Sequence, residues 1–298
     1  MGLDPSSIRD HTQGAAVRPH RGMARRLQVT VLVAGVLALS GCSQDSDSEF
    51  LRLALPQGAS DRTDAIFELW IGAWIAAGII GIGVFGMIVW SVLHYRRRSD
   101  SEIPAQTRYN LPIEVLYTIA PIIVIAVLFF FTVQAQEDVE ADVAEPEHEI
   151  SVVGAKWAWT FVYQDGEAIG GDTDVFDFGT PDELTELYLP VDETVRFTLD
   201  SPDVIHSFWV PEFYFKRDVL PGRSSTFDVT PTREGVFRGR CAELCGTFHA
   251  RMLFDVHIVS REEYDEHLAE LEQAGQVGDP SGAADSTTVV GLDQESEQ

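Results

Sequence analysis

The chain has 298 residues, is 45% hydrophobic and carries a formal net charge of −26, which argues against a basic nucleic-acid-binding protein. Acidic and basic residues balance over residues 1–134, so the whole negative excess lies in residues 135–298. The sequence therefore predicts a neutral, membrane-like half followed by an acidic half. That acidic surface either steers a basic partner or is only a solvated face.

Residues 1–41 have the features of an N-terminal extension with an export signal. Arg25 and Arg26 precede a short apolar stretch at 27–39, which is too short for a comfortable membrane span. The sequence Leu-Ser-Gly-Cys that ends at Cys42 resembles a bacterial lipoprotein signal. The resemblance implies cleavage before Cys42 and a lipid anchor on its sulfur. The alternatives are an ordinary signal peptide and a retained anchor helix.

Two long apolar segments follow a linker over residues 42–64. Segments 66–93 and 115–133 are each long enough to cross a hydrocarbon core about 30 Å thick. Four arginines lie between them, so the positive-inside rule places this connection in the cytoplasm. The sequence predicts a two-helix hairpin over residues 65–134 in the cell (plasma) membrane, with the rest of the mature chain on the outer side.

The acidic half predicts a β domain over residues 149–260, after an acidic linker over residues 135–148. Short apolar or alternating runs, separated by turn residues, are typical of a β-sandwich or barrel. The predicted strands are 150–153, 157–163, 187–189, 195–199, 208–210, 225–229, 235–240 and 253–259. Residues 261–298 are predicted to form a terminal helix over 261–274 and a disordered acidic tail.

A dense group of metal-binding side chains closes this domain. Cys241, Cys245, His249 and Met252 occur within one short stretch, and His206 lies upstream. On a regular strand, residues four apart would lie about 13 Å from each other, so the cysteines must lie in a tight loop. Sulfur and imidazole donors suit a soft or borderline metal. Two thiolates can also bridge two metal ions that share one electron.

The pattern Cys241-x-Glu243-x-Cys245-x-x-x-His249-x-x-Met252, with His206 upstream, resembles the CuA site of the cytochrome c oxidase subunit II family. The resemblance implies a binuclear centre of two copper ions. Cys241 and Cys245 would bridge the ions, and His206 and His249 would each bind one. Met252 and the Glu243 carbonyl would be weak ligands. The Glu243 side chain would bind a Mg or Mn ion shared with subunit I.

The resemblance extends to other segments of about residues 65–259. Trp157 lies in an aromatic segment that resembles the one whose tryptophan passes electrons from cytochrome c to copper. Glu114 lies in a segment resembling the start of the family's second span, where a glutamate opens the proton channel called the K pathway. The alternatives from the sequence alone are that Trp157 is a core aromatic and that Glu114 is a solvated carboxylate. The run at 208–213 and the lipoprotein signal resemble the actinobacterial branch.

The sequence therefore predicts two transmembrane α-helices followed by an all-β cupredoxin-like Greek-key domain. The resemblance implies the electron-accepting subunit of an aa3-type cytochrome c oxidase, with subunits I and III as partners. Haems and CuB would lie in subunit I. The donor would be cytochrome c or a cytochrome c domain of a bc1 complex, in a supercomplex.

Other metal proteins remain as alternatives. The main one is a membrane-tethered copper or zinc binding protein, similar to a copper chaperone, without electron transfer. Met252 argues against zinc, since thioethers suit softer metals. A thioredoxin-like copper chaperone would have a βαβ context, whereas this sequence predicts an all-β one.

The lipoprotein signal predicts that Cys42→Ala removes the lipid but leaves the protein in the membrane, because two apolar helices remain. Mass spectrometry of the mature N-terminus, together with membrane fractionation, measures both effects. An unmodified Cys42 in the wild-type protein would show that the interpretation of this segment is wrong.

Overall fold

The structure is a computed structural model that describes residues 52–99, 101–104, 106–164, 173–180 and 182–280. The predicted signal peptide and Cys42 lie outside the described residues. The helices are α1 (Thr63–His94), α2 (Leu111–Val139) and α3 (Arg261–Gln273). The strands are β1 (His148–Ala155), β2 (Ala158–Tyr163), β3 (Val175–Phe178), β4 (Thr185–Pro190), β5 (Val195–Asp200), β6 (His206–Val210), β7 (Phe215–Val219), β8 (Ser225–Val229), β9 (Gly235–Cys241) and β10 (Leu253–Val259).

Helices α1 and α2 form the predicted hairpin. They contain 32 and 29 residues, and both are long and apolar enough to cross a membrane. At about 1.5 Å per residue, each exceeds a hydrocarbon core about 30 Å thick. Asn110 caps α2, because its side chain accepts a hydrogen bond from the Ile113 N–H at 3.4 Å. Pro at the start of α2 also suits a helix N-terminus.

The acidic linker predicted over residues 135–148 is wrong for its first five residues, which continue α2. Ala135 and Val139 are buried, so packing against the rest of the protein prolongs the helix beyond its apolar span. The remaining segment is fixed at Val143. Its N–H donates to Asp228 at 2.6 Å, and its carbonyl accepts from Arg196 at 2.6 Å. The charge of this segment alone predicts a free linker, because its bonding partners are distant in sequence.

The ten strands form two five-stranded sheets that enclose an apolar core. The strand orders are β3-β2-β1-β5-β8 and β4-β10-β9-β6-β7. Each sheet contains one parallel pair, β1 with β5 and β4 with β10, among antiparallel neighbours. Inward side chains alternate with outward ones, as at the buried Val195, Phe197 and Leu199 of β5. The result is a β-sandwich, as the sequence predicts.

Strands β3 and β7 were not predicted from the sequence. Both lie at sheet edges, where charged residues are common and apolar alternation is weak.

The first residues of the tail that was predicted to be disordered are ordered in the structure. The Phe176 N–H donates to the Gln276 carbonyl at 3.0 Å, and the Gly278 N–H donates to Asp174 at 2.7 Å. Residues 275–280 therefore pack along β3, whereas residues 281–298 lie outside the described residues.

The segment before α1 ties the hairpin to the sandwich. The Thr232 N–H donates to the Ala59 carbonyl at 2.9 Å, so residues of the predicted linker are bonded to the β domain. The guanidinium of Arg62 donates to the carbonyls of Asp138 at 2.6 Å and Ala141 at 2.9 Å. These bonds fix the sandwich to the outer ends of both helices.

Asp228 should make this attachment sensitive to acid. Its buried carboxylate accepts bonds from Arg196 at 2.8 and 2.7 Å and from the Val143 N–H. Burial raises the pKa of Asp228, but these hydrogen bonds outweigh burial and lower it. A carboxyl whose pKa is lower in the folded state stabilises the fold above its unfolded pKa of about 3.9. That stabilisation is lost as pH falls through the lower, folded pKa.

We expect Asp228→Asn to lower the thermal unfolding midpoint by several degrees at pH 7, because Arg196 loses its anionic partner. The deficit should shrink as pH falls below about 4, where the wild-type carboxyl becomes protonated. Circular dichroism of the full chain in detergent measures both effects. The exposed Asp218→Asn is the control and should change little. An equal deficit at every pH would contradict the assigned role of the carboxylate.

Candidate metal centre

The predicted donors meet at one end of the sandwich, where β6 begins and β9 ends. Phe208 of β6 is opposite Cys241 of β9 in the antiparallel register. His206 lies two residues before Phe208 on the same inward face, so it is a diagonal neighbour of Cys241. Both side chains are buried, with exposed fractions of 0% for His206 and 6% for Cys241. Sheet register thus brings together residues that are distant in sequence.

The loop between β9 and β10 supplies the other donors. The Cys241 N–H donates to the Met252 carbonyl at 3.0 Å, which closes the loop at its base. Gly246 has a φ of +124°, a backbone conformation that disfavours other residues. A short 3₁₀ helix, His249–Arg251, then returns the chain to β10. The loop therefore turns both cysteines inward, as the spacing predicts.

The side chains converge on the two sulfurs. The Sγ atoms of Cys241 and Cys245 lie 3.8 Å apart. The Nδ1 of His206 is 3.9 Å from the Cys241 sulfur, and the Nδ1 of His249 is 3.6 Å from the Cys245 sulfur. The Met252 sulfur lies 3.8 Å from that of Cys245. The donor atoms of His206, Cys241 and Cys245 all lie within 4.8 Å of one another.

Glu243 presents different groups to the two sides of the loop. Its backbone carbonyl lies 3.2 Å from the Cys241 sulfur, so this oxygen belongs to the donor group. Its side chain is exposed. The carbonyl can therefore face an ion at the sulfurs while the carboxylate faces outward.

This donor set fits a pair of metal ions. Both cysteines are free thiols, and their separation of 3.8 Å is far too long for a disulfide. A metal–sulfur bond is about 2.3 Å long, so one ion can bind both sulfurs. Each sulfur also has its own imidazole nearby. Two ions could therefore share both sulfurs, with one imidazole for each ion. The thioether favours a soft metal such as copper.

Asp203, which the sequence pattern does not single out as a site residue, orients one of the imidazoles. Its carboxylate lies 2.8 Å from Nε2 of His206, which leaves Nδ1 facing Cys241. Such a carboxylate partner fixes the ring of a metal-binding histidine. Burial raises the pKa of Asp203, but hydrogen bonds from His206 and from the Lys156 N–H lower it more. The spacing of three residues to His206 was the available signal.

Two tryptophans contact the loop from the side of β2. The indole N–H of Trp157 donates to the Cys245 carbonyl at 3.1 Å. The indole N–H of Trp159, which was not predicted as a site residue, donates to the Met252 carbonyl at 3.4 Å. Trp159 is fully buried, whereas Trp157 lies in the turn before β2 and is partly exposed. Of these two tryptophans, Trp157 is therefore the one that reaches the protein surface.

The structure does not bring Glu114 to this centre. It lies in the first turn of α2, whose other end adjoins the β domain. Its carboxylate accepts a hydrogen bond from the Asn110 N–H at 2.8 Å. This reciprocal arrangement with the Asn110 cap is a capping interaction, so Glu114 has a structural role at the helix end.

The two thiols differ in pKa. Burial raises the pKa of Cys241, but hydrogen bonding with His206 and from the backbone outweighs burial and lowers it. Burial, and then the negative charge of Cys241, raise the pKa of Cys245. In the metal-free pair, Cys241 therefore ionises before Cys245.

The fold and the site define a class of protein, a membrane-anchored β-sandwich with a buried candidate metal centre of cysteine and histidine. The family model described as "Cytochrome C oxidase subunit II, periplasmic domain" matches residues 148–259. The model described as "Cytochrome C oxidase subunit II, transmembrane domain" matches residues 48–134. The chain belongs to the cytochrome c oxidase subunit II family.

Similar proteins cover most of the chain. The probable cytochrome c oxidase subunit 2 of Streptomyces coelicolor is 40% identical, over 92% of this chain and 96% of that protein. Cytochrome c oxidase subunit 2 of Corynebacterium glutamicum is 34% identical, over 84% and 86%. The crystal structure of the periplasmic domain of subunit II (CoxB) of Bradyrhizobium japonicum is 28% identical, with a TM-score of 0.40, and covers 45% of this chain and 99% of that one.

These comparisons confirm several predictions. The family, the fold class and membership of the cytochrome c oxidase enzyme as a subunit are as expected. The chain is a membrane protein with two spanning helices and a periplasmic-type domain. The family implies copper, and the His206, Cys241 and Cys245 cluster is a candidate site for it. The alternative of a tethered metal-binding protein finds no support here.

We expect the thiols of the metal-free, reduced full chain to ionise in two separate steps. The measurement is the thiolate absorbance as a function of pH, in a Cys42→Ala variant that leaves only Cys241 and Cys245. The first step should occur below the ordinary cysteine pKa of about 8.5. Cys241→Ser should remove that step and shift ionisation of Cys245 to lower pH, because an opposing charge is gone. A single step of two thiols above pH 9 in the wild-type protein would contradict the assignment.

Proposed function

We propose that this chain is the electron-accepting subunit of an aa3-type cytochrome c oxidase. The observation that carries the proposal is the pair of sulfurs 3.8 Å apart, each with its own imidazole, at the exposed end of the sandwich. The chain would accept one electron at a time from cytochrome c and deliver it to haem a of subunit I. It would not itself reduce oxygen.

The distances between the donor atoms support the ligand roles proposed here. Cys241 and Cys245 would bridge two copper ions, and His206 and His249 would each bind one. The Met252 thioether and the Glu243 carbonyl would complete the set. When bound, such a thiolate-bridged copper pair takes up one electron and shares it between both ions. The loop closure and the Asp203 contact hold the ligands in place, so the protein need rearrange little when the charge changes.

Trp157 would connect the donor to the centre. Its ring is partly exposed, and its N–H is bonded to the carbonyl of Cys245, one of the two bridging ligands. It therefore offers a short path from the surface to the sulfur. The donor would be cytochrome c or a cytochrome c domain of a bc1 complex, and the acidic charge of the domain would attract a basic donor.

The remaining roles concern the other subunits. The exposed Glu243 carboxylate would bind Mg or Mn together with subunit I. Subunit I would hold the haems and CuB, where oxygen is reduced to water and protons are pumped, and subunit III would complete the assembly. Glu114, at the end of the hairpin far from the β domain, would admit protons to the K pathway. Its capping bond does not exclude this role, since a carboxylate can accept further bonds.

The placement in the membrane completes the proposal. The β domain would lie on the extracytoplasmic side of the plasma membrane, since the four arginines between the helices favour the cytoplasm. A lipid on Cys42 would supplement the two helices. Membership of a supercomplex with the bc1 complex would place the donor next to Trp157.

We expect Cys245→Ser to abolish the two-copper centre and to reduce oxygen consumption with reduced cytochrome c to background. The hairpin should still insert, because its two helices do not depend on the loop. Copper content, electron paramagnetic resonance and membrane fractionation of the purified complex measure these effects. Thr247→Ala, on the same loop, is the matched control and should retain two coppers per chain.

Retained turnover in Cys245→Ser would refute the bridging role. A wild-type protein that holds zinc or a single copper ion would refute the two-copper centre and favour the tethered metal-binding protein instead.

A further inference from the structure

Trp157 lies in an exposed turn, yet its indole ring is in close contact with the metal loop. Its indole lies directly against the backbone of the metal loop at Gly246. A Cβ atom built on Gly246 would lie 3.1 Å from both Nε1 and Cζ2 of the indole. The absence of a side chain at Gly246 therefore lets the ring reach the Cys245 carbonyl. One hydrogen bond, however, fixes only one edge of the ring.

Phe248 supports the indole on another side. The two ring centroids are 5.0 Å apart and the planes are nearly perpendicular, at 87°. This is the edge-to-face geometry that aromatic rings prefer. Phe248 lies in the metal loop immediately before His249, so it ties the indole to the same loop that supplies the ligands. Its exposed fraction of 38% shows that it is not a core residue.

Phe248 also contacts Arg251 of its own loop, and Arg251 reaches a third loop through an exposed ion pair. The guanidinium of Arg251 lies 5.6 Å from the centroid of the Phe248 ring, in cation–π geometry. Arg251 also forms an ion pair with Asp182, which lies between β3 and β4. The chain of contacts from Asp182 through Arg251 and Phe248 to Trp157 joins three separate loops. Such support from neighbouring side chains is what keeps a functional group in one geometry.

We propose that Phe248 is a positioning residue for electron transfer, which holds the Trp157 indole against the Cys245 carbonyl. This inference rests on the proposed function. In the step concerned, one electron leaves the reduced haem of the donor and arrives at the copper centre. The donor is oxidised by one electron, the centre is reduced by one, and no bond or proton changes place. Since electron transfer weakens steeply with distance, a displaced indole would slow this step.

The first test uses fluorine nuclear magnetic resonance of the metal-free full chain in detergent, in which every tryptophan is replaced by 5-fluorotryptophan. Of the six tryptophan signals, the one that Trp157→Phe removes belongs to Trp157. Phe248→Leu keeps an apolar side chain but removes the ring, and should shift or broaden that signal. Phe248→Tyr restores a ring and should return the signal close to its wild-type position. Leu244→Ala, at an exposed position of the same loop, is the control and should not move it.

The second test measures reduction of the copper centre by reduced cytochrome c in the purified oxidase. Phe248→Leu should slow reduction several-fold while the copper absorption spectrum and the KM for the donor stay unchanged. Phe248→Tyr should recover the rate. If Phe248 acts through Trp157, adding Phe248→Leu to Trp157→Phe should cause no further loss.

Three results would overturn the inference. They are an unmoved Trp157 signal in Phe248→Leu, an additional rate loss in the double variant, and a rate change explained entirely by KM. A Phe248→Leu protein that fails to bind copper is still tested by the first experiment. If Trp157→Phe retains the wild-type reduction rate, the proposed electron path through Trp157 is refuted. This result therefore distinguishes failure of the proposed electron path from failure of the positioning role of Phe248.

Discussion

The hydrogen bond from the Cys241 N–H to the Met252 carbonyl is the constraint on which the metal centre depends. It pairs the end of β9 with the start of β10 and makes the residues between them a closed loop. With its ends fixed, that loop can turn Cys245 and His249 toward the sulfur of Cys241. The two sheets supply the rigid support, because Cys241 is itself an inward residue of the apolar core.

The second contribution comes from residues that hold the ligands rather than bind metal. Asp203 sets the orientation of the His206 ring, and Trp159 donates a hydrogen bond to the carbonyl of Met252. Trp157 donates a hydrogen bond to the carbonyl of Cys245 and is itself packed against Phe248. A centre whose ligands are held from several directions keeps its geometry when its charge changes, which is what rapid electron transfer requires.

The third contribution is the attachment of the sandwich to the membrane hairpin. Arg62 bonds the carbonyls at the end of α2, and Val143 is held by Arg196 and Asp228. Residues that had been predicted as linkers are thus fixed at both ends of the hairpin. In the proposed function the centre passes electrons to a haem in the membrane, and these bonds would keep it at a constant distance from the helices.

The sequence was sufficient to predict the long apolar helices, the β character of residues 149–260 and five side-chain donors for a candidate metal centre. The helices and strands follow from hydrophobic length and alternation, and four of the donors lie close together in one loop. The fifth, His206, is brought to them by the register of β6 and β9. Edge strands β3 and β7 escaped prediction because β3 has only four residues and β7 contains three consecutive charged residues. The contacts of Asp203, Trp159 and Phe248 could be identified only from the tertiary structure. Their contacts join separate loops and strands, and sequence spacing does not encode such pairings.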